Sequence, residues 1–453
     1  MKFQRHVDML EGSIIKNMII FCIPIIITNY INILYNAADV MVVGRFGSDE
    51  ALAGVTATTS LINLIVNFFI GLSVGINVIV SNRVGANDRD AAQKSVNTTV
   101  FLAIFGGLIA TTIGFFFSKQ MLVLMKTPAE ALEQATIYVK IYFLGVPGIL
   151  LTNFGSSVLR SVGDTKRPLY FMIVSGLANI LLNLLFVIVF HMEASGVAIA
   201  TSVSNYISAL LVLIALTKIE GICRLDLREL KFHGKTALDI ARIGIPSGIN
   251  SSMYSISNTL IQSSVNSFGQ YAVSGNGIAT NLDNILSMSQ SSVYHAAMTF
   301  TGQNHGAKNH KRLRPIFYNS LLLDFIIWLI IGGTVYLFRE PLLSLFSKNE
   351  EIINFALIKT GILFPGFLLG GIMDVSTGCL RGLGRSTIPM IVSIIGVCGF
   401  RILWVYTVFA AFRTPESLYL SYPVSWIITF AANSIIYFYI SGKVIRKLKA
   451  ETI

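Results

Sequence analysis

The 453 residues read as an all-α membrane protein, with twelve transmembrane helices in two six-helix lobes related by an internal pseudo-two-fold repeat. Three observations lead there. Hydrophobic residues make up 53% of the chain and charged residues only 13%, with a mean hydropathy of +0.69, whereas a soluble protein is about 25% charged. Twelve apolar runs reach the roughly 20 residues that a helix needs to cross a bilayer. The two halves of the chain also repeat one another's punctuation.

The same composition excludes other classes. A soluble fold of this size would lack the charge to cover its surface. The chain is neither disordered nor collagen-like. Cys22, Cys223, Cys379 and Cys398 are too few and too scattered for a disulfide or zinc framework. A net charge of +11 on a soluble protein would suggest nucleic acid. Here it reflects where a membrane protein keeps its basic loops, and no nucleic-acid partner is expected.

The runs fall near 14–43, 54–80, 95–117, 136–158, 168–190, 195–217, 240–266, 276–300, 315–338, 354–380, 387–409 and 419–441. They are rich in Gly, Ser, Thr and Asn, as helix-packing surfaces in lipid often are. The loops are too short for a soluble domain. The longest basic break carries Lys218, Arg224, Arg228, Lys231 and Lys235. It predicts an amino-terminal lobe over 1–217, a cytoplasmic linker over 218–239 and a carboxy-terminal lobe over 240–453.

Basic residues set the expected orientation. Of 34 Lys and Arg, 25 fall in one alternating set of segments, from Lys2, Arg5 and Lys16 through Arg83, Arg160 and the linker to the tail Lys443–Lys449. The other set holds eight: Arg45, Lys119, Lys126, Lys140, Arg339, Lys348, Lys359 and Arg413. Positive-inside logic then places both termini in the cytoplasm, with an even number of spans. The charged and polar start, to about residue 13, is not expected to be a cleavable signal.

The halves match at a nearly constant offset. At 222 residues Ile23-Pro24 meets Ile245-Pro246, Asn36 meets Asn258, Gly47 meets Gly269, and Ala57-Thr58 meets Ala279-Thr280. At 221 residues Gly85-Ala86 meets Gly306-Ala307, Leu159-Arg160 meets Leu380-Arg381, Gly163 meets Gly384, and Pro168 meets Pro389. The offset spans six helices, so the halves have parallel topology. Two such bundles are a transporter plan, with substrate exposed alternately to each side.

The repeated residues carry a pattern. The end of the first helix reads Leu34-Tyr35-Asn36-Ala37-Ala38-Asp39-Val40-Met41-Val42-Val43-Gly44-Arg45-Phe46-Gly47. The loop after the second reads Val84-Gly85-Ala86-Asn87-Asp88-Arg89-Asp90, and two later loops read Leu159-Arg160-Ser161-Val162-Gly163-Asp164 and Leu380-Arg381-Gly382-Leu383-Gly384-Arg385. Across essentially the whole chain this resembles the MATE family, the multidrug and toxic compound extrusion transporters, and is most similar to its bacterial branches. The resemblance implies a V-shaped, twelve-helix antiporter in a bacterial plasma membrane. Its partners would be small-molecule drugs, cationic or otherwise amphipathic, exchanged for H+ or Na+. No cofactor, obligate protein partner or enzymatic activity is implied.

Ionisable groups in lipid are costly, so each is a functional candidate. The acids are Asp39, Asp283, Asp324 and Asp374, and Arg401 is the one base assigned to a span. Asp39 follows Tyr35 and Asn36. A partly desolvated carboxylate there can exchange a proton or, with neighbouring oxygens, hold sodium. In the family pattern it is the amino-lobe coupling acid. The resemblance adds polar partners for it, here Asn153, Asn179 and Asn183. Asn179 and Asn183 stand four residues apart on one helix face. Family members often carry Asp where this chain has Asn183, so coupling here rests more heavily on Asp39. The residue matching Asp39 in the second half is Ile261.

In the second half some family members carry a Glu near the place of Tyr254, so their sodium site is not supported. The substrate cavity is expected to draw on Tyr35, Asn36, Tyr254, Asp283, Gln290, His295, Asp374 and Arg401. Asp283 can meet a cationic substrate or pair with Arg401. Asp324 can simply face a polar group on another helix. Among aromatics, Tyr30, Tyr35, Phe68, Tyr142, Phe154, Tyr254 and Tyr294 are cavity candidates, although most aromatics in such a chain pack or face lipid. Pro24, Pro147, Pro246 and Pro365 fall within predicted spans and are expected to kink them.

Rival readings carry less. A major facilitator transporter would show a Gly-x-x-x-Asp-Arg-x-Gly-Arg-Arg-type loop after the second helix. An intramembrane enzyme would need a pattern such as His-Glu-x-x-His. Both are missing from the sequence. A MATE-related lipid or polysaccharide flippase is the nearer alternative, usually with extra helices and a more cationic cavity.

Overall fold

A computed structural model describes residues 7–46, 48–125, 127–219 and 221–450. Lys2, Arg5, Gly47 and Lys126, which entered the charge and repeat patterns, lie outside the described residues. Every predicted apolar run is helical. The first half comprises α1 (Ile14–Phe46), α2 (Asp49–Gly85), α3 (Arg89–Leu124), α4 (Ala129–Leu144), α5 (Val146–Ser161), α6 (Lys166–Val189) and α7 (Glu193–Thr217). The second comprises α8 (Gly234–Asn266), α9 (Gln270–Gly306), α10 (His310–Leu337), the short α11 (Arg339–Ser344), α12 (Glu350–Gly382), α13 (Thr387–Phe409) and α14 (Pro415–Lys447). The described residues contain no strand.

Nine of these helices are long and apolar enough to cross a membrane, among the described residues, and the pair α4–α5, bent by 46°, makes a tenth. α8 and α9 fall short because they are dense in Ser, Asn and Gln. Large side chains such as Leu124, Leu337 and Leu345 are more than three-quarters exposed, as lipid-facing residues are. The bend between α4 and α5 lies at Gly145, and Pro147 sits in the first turn of α5. Pro147 therefore starts a helix, where its missing N–H costs nothing. Pro24, Pro246 and Pro365 are helix-interior, as expected.

The repeat extends to backbone conformation. Gly163 and Gly384 both have positive φ, 85° and 77°, closing the turns after α5 and α12. Asn87 and Lys308 also match across the repeat and are both left-handed, at 53° and 56°. Asp88 then caps α3, its carboxylate accepting from the Ala91 N–H at 3.0 Å. Arg83, at the end of α2, is anchored by Asp239 at 3.2 Å and by Thr236 at 3.2 Å.

The chain divides into two compact units, one built chiefly of Ile27–Ala241 and the other of Asp8–Ile26 with Arg242–Ile453. The first stretch of α1 thus packs with the second half. Phe21 meets Phe300 edge-on at 5.8 Å, and Asn304 donates to the Met9 carbonyl at 2.9 Å. The division falls just past Pro24. Phe154 is a fully buried core residue of the first unit, so it lines no open cavity.

In the second unit α9 and α12 pack closely because small residues line the contact. A Cβ on Gly275 would lie 2.6 Å from the Ile352 carbonyl oxygen, and one on Gly382 would lie 2.6 Å from the Met298 carbonyl oxygen. Without lipid-expelling force between helices, such approach is what holds them together. Gly277, one residue beyond Asn276 on the same helix, faces open space. Gly275→Ala is expected to destabilise the detergent-solubilised protein by roughly 1–3 kcal/mol, the usual cost of overpacking. Gly277→Ala is expected to be neutral or slightly stabilising. Thermal melts of the two variants against wild type check this pair of outcomes.

Candidate functional site

Each unit encloses its own polar group. In the first, Asp39 is half-buried on α1. Asn183, on α6, donates through Nδ2 to Asp39 Oδ1 at 2.5 Å, and Thr201 Oγ, on α7, donates to Oδ2 at 3.4 Å. The same Asn183 amide donates to Asn179 Oδ1 at 3.2 Å, and Asn179 Nδ2 donates to Thr201 Oγ at 3.4 Å. Asn183 and Asn179 are buried, so these bonds replace water. Both carboxylate oxygens are thus met by neutral donors, and no cationic side chain pairs with Asp39 among the described residues. A carboxylate held this way carries a charge that burial disfavours and that nothing fixed neutralises. A proton or a small cation can do so reversibly.

Local geometry brings α1 to α6. The Tyr35 ring lies against Gly176 so closely that a Cβ there would not fit, and Tyr35 Oη donates to the Ile173 carbonyl at 3.3 Å. Gly176, Asn179 and Asn183 share one helix face, so the close approach at Gly176 delivers both amides to Asp39. Immediately after Asn183 the helix widens into a π turn over Leu184–Val189, a feature common at functional sites. The structure does not bring all expected partners together. Asn153 donates to the Ile149 carbonyl of its own helix at 3.0 Å, and Asn36 is exposed and bonded to Asn32 at 3.2 Å. Thr201 and Gly176 escaped the sequence reading, because Thr and Gly are ordinary in packed spans.

The second unit holds a cavity of about 470 Å³. Tyr254, Asp283, Gln290, Asp374 and Arg401 line it, together with Lys359, Tyr422 and Trp426. A smaller cavity of about 160 Å³ shares Tyr254 and Asp374 and adds Arg381 and Tyr294, which are hydrogen-bonded at 2.5 Å. His295 stands outside both linings, its ring 5.1 Å from that of Tyr294.

Two expectations are corrected here. Asp283 does not pair with Arg401. It pairs with Lys359, Nζ to Oδ2 at 2.9 Å, and both side chains are nearly inaccessible. The sequence groups Lys359 with the loop residues and leaves Arg401 as the one base inside a span. Lys359 is buried on α12, and its ammonium also donates to Thr280 Oγ at 2.7 Å and the Asn276 carbonyl at 3.4 Å. The signal was present, since Lys359 lies five residues inside the run starting at 354.

Arg401 sits in a short α-helical stretch of α13 flanked by π turns over Ile394–Gly399 and Val405–Phe409. Its guanidinium lies 3.9 Å from the Tyr422 ring centroid and donates to Ser425 Oγ at 3.2 Å and Asn258 Oδ1 at 3.3 Å. Asp324 faces a polar group, as expected. It is fully buried on α10 and accepts from Gln290 Nε2 at 3.2 Å, in space left by Gly371.

Breaking a buried ion pair leaves an uncompensated charge. Lys359→Met is therefore expected to destabilise the protein by about 3–5 kcal/mol. The double variant Lys359→Met with Asp283→Leu should recover most of that loss, because it leaves neither charge behind. Denaturation of the two single variants and the double variant forms the cycle. Additive losses would contradict a tight pair.

Known proteins match this arrangement along its length. A family model, MatE, matches twice, over residues 24–185 and 246–407. "Probable multidrug resistance protein YoeA" of Bacillus subtilis (strain 168) is 27% identical, covering 86% of each chain. "Probable multidrug resistance protein NorM" of Thermotoga maritima is also 27% identical, over 94% of this chain and 92% of its own. Among solved structures, one described as the outward-facing conformation of a multidrug resistance MATE family transporter of the MOP superfamily superposes with a TM-score of 0.89 at 22% identity. It covers 99% of this chain and 100% of its own, and so speaks for the fold. With two copies of the family model spanning most of both halves, at the spacing of the internal repeat, the chain belongs to the MatE family.

Proposed function

We propose that the protein is a secondary active multidrug efflux transporter of a bacterial plasma membrane. It exports amphipathic drugs, organic cations among them, by alternating access and in exchange for H+ or Na+ bound at Asp39. The observation that carries this reading is the Asp39 cluster, an acid inside a helical unit met by Asn183 and Thr201 and by no fixed cation among the described residues. The names of the similar proteins from B. subtilis and T. maritima agree with drug efflux as the outcome.

The coupling acid would work as a switch of charge. With the ion bound, Asp39 is neutralised and the cluster is stable in one open state. With the ion released, the carboxylate depends on Asn183, Asn179 and Thr201, so any movement of α1 against α6 and α7 changes its energy. Both termini face the cytoplasm in this reading, because the basic segments cluster on their side.

Two measurements test it. In bacterial cells lacking their own pumps, expression of wild type should lower ethidium accumulation, and Asp39→Asn should return it to the level of cells without the protein. Unchanged low accumulation in the variant would remove Asp39 from the mechanism. In vesicles with a proton gradient and a sodium gradient imposed separately, export should follow one of them and be lost in Asp39→Asn. Export driven by neither would rule out antiport.

A further inference from the structure

The charged lining of the larger cavity consists of Asp283, Lys359, Asp374 and Arg401, two acids and two bases. It is not a simple trap for cations. The Asp283 carboxylate is taken by Lys359 at 2.9 Å. Asp374 also borders the smaller cavity, which Arg381 lines.

Asp374 has no base within ion-pair distance among the described residues, and Arg401 is the one base of the lining without an acid. It is 1% exposed and has no carboxylate within ion-pair distance among the described residues. Neutral groups fix it instead. Ser425 accepts from Nε, Asn258 accepts from Nη1, and the Tyr422 ring centroid lies 3.9 Å from the guanidinium carbon. No hydrogen bond from Nη2 occurs among the described residues. Burying an unpaired cation is costly, and the cost falls when an anion arrives. A guanidinium is also a planar fork, which can meet a carboxylate with two parallel bonds.

The rest of the wall suits an aromatic body. Trp426 and Phe367 line the same cavity with ring centroids 5.4 Å apart. At about 470 Å³ the space lies within the ~300–1,000 Å³ of small-molecule sites.

We propose that this cavity is a subsite for aromatic carboxylates, with Arg401 receiving the carboxylate and the Trp426–Phe367 wall receiving the ring. The inference deepens the efflux reading by giving the carboxylate of such a compound a place at Arg401 in the second unit. It rests on that reading for transport and on the cavity alone for binding.

The test is equilibrium binding to the purified full-length protein in detergent micelles, with 1-naphthylacetate and the uncharged 1-naphthylacetamide as matched probes. Wild type should bind the carboxylate about tenfold tighter than the amide, the scale of one charge-assisted hydrogen bond. Arg401→Gln should abolish that preference, so that the two probes bind equally. Equal binding of the two probes by wild type overturns the proposal. So does a preference that survives Arg401→Gln, since the carboxylate would then sit elsewhere. If the glutamine variant fails to fold, as judged by its helical melt, Arg401→Lys decides. It keeps the charge but loses the fork, so the preference should shrink several-fold, and an unchanged preference counts against the proposal. Binding in micelles needs no gradient. Failure of efflux would appear in the accumulation assay and failure of the subsite only here.

Discussion

Hydrocarbon supplies no hydrogen-bond partner, so every polar group within a spanning helix must be met by another part of the protein. Most of this structure follows from that constraint. Small hydroxyls fold back onto their own helices, as Ser320 does to Ile316 at 2.7 Å and Thr360 to Ala356 at 2.9 Å. Larger groups must find partners across helices, and they do so in a few concentrated places. Asp39 finds Asn183 and Thr201, Asp283 finds Lys359, and Asp324 finds Gln290. Glycines make those meetings possible, with Gly176 admitting Tyr35 beside the Asp39 cluster and Gly371 admitting Asp324 and Gln290. Packing and chemistry are therefore one problem here.

The two halves solve that problem differently on one architecture. Under the 222-residue offset Asp39 corresponds to Ile261 and Asp283 to Leu61. Under the 221-residue offset Asp324 corresponds to Ala103, Lys359 to Tyr138 and Asp374 to Asn153. None of these charges has a charged counterpart. The first half holds one acid among neutral donors. The second holds acids and bases together, one pair closed on itself. Duplication explains the helices, the matched turns and the interior Pro24 and Pro246. It does not explain the charges, which were placed separately in each half. In the proposed mechanism one half answers to an ion while the other offers a cavity.

Much of this was legible in the sequence. The apolar runs located the long helices but not the short α11 or the break at Gly145, and the punctuation at Gly163 and Gly384 marked two turns whose backbones prove alike. The pairing of Asn179 with Asn183 could be read from their spacing. What stayed hidden depends on which helices meet. The linear chain offers Arg401 as a partner for Asp283, and only the packing of α9 on α12 brings Lys359 there instead. Lys359 read as a boundary residue because a long flexible side chain near a helix end usually reaches for water. Thr201 and Gly176 carry no signal, since such residues are common wherever helices pack. The break of the first unit just past Pro24 also needed three dimensions, because an uninterrupted helix hides a change of packing partner.

In the proposed mechanism, ion exchange belongs to Asp39 and not to the acids of the second unit. The most direct measurement is ion release from purified protein in weakly buffered detergent when a transported drug is added, followed by proton and sodium electrodes. Release is expected from wild type and from Asp283→Asn, and none from Asp39→Asn. Release that persists in Asp39→Asn, or that disappears in Asp283→Asn while that variant still binds the drug, would contradict it.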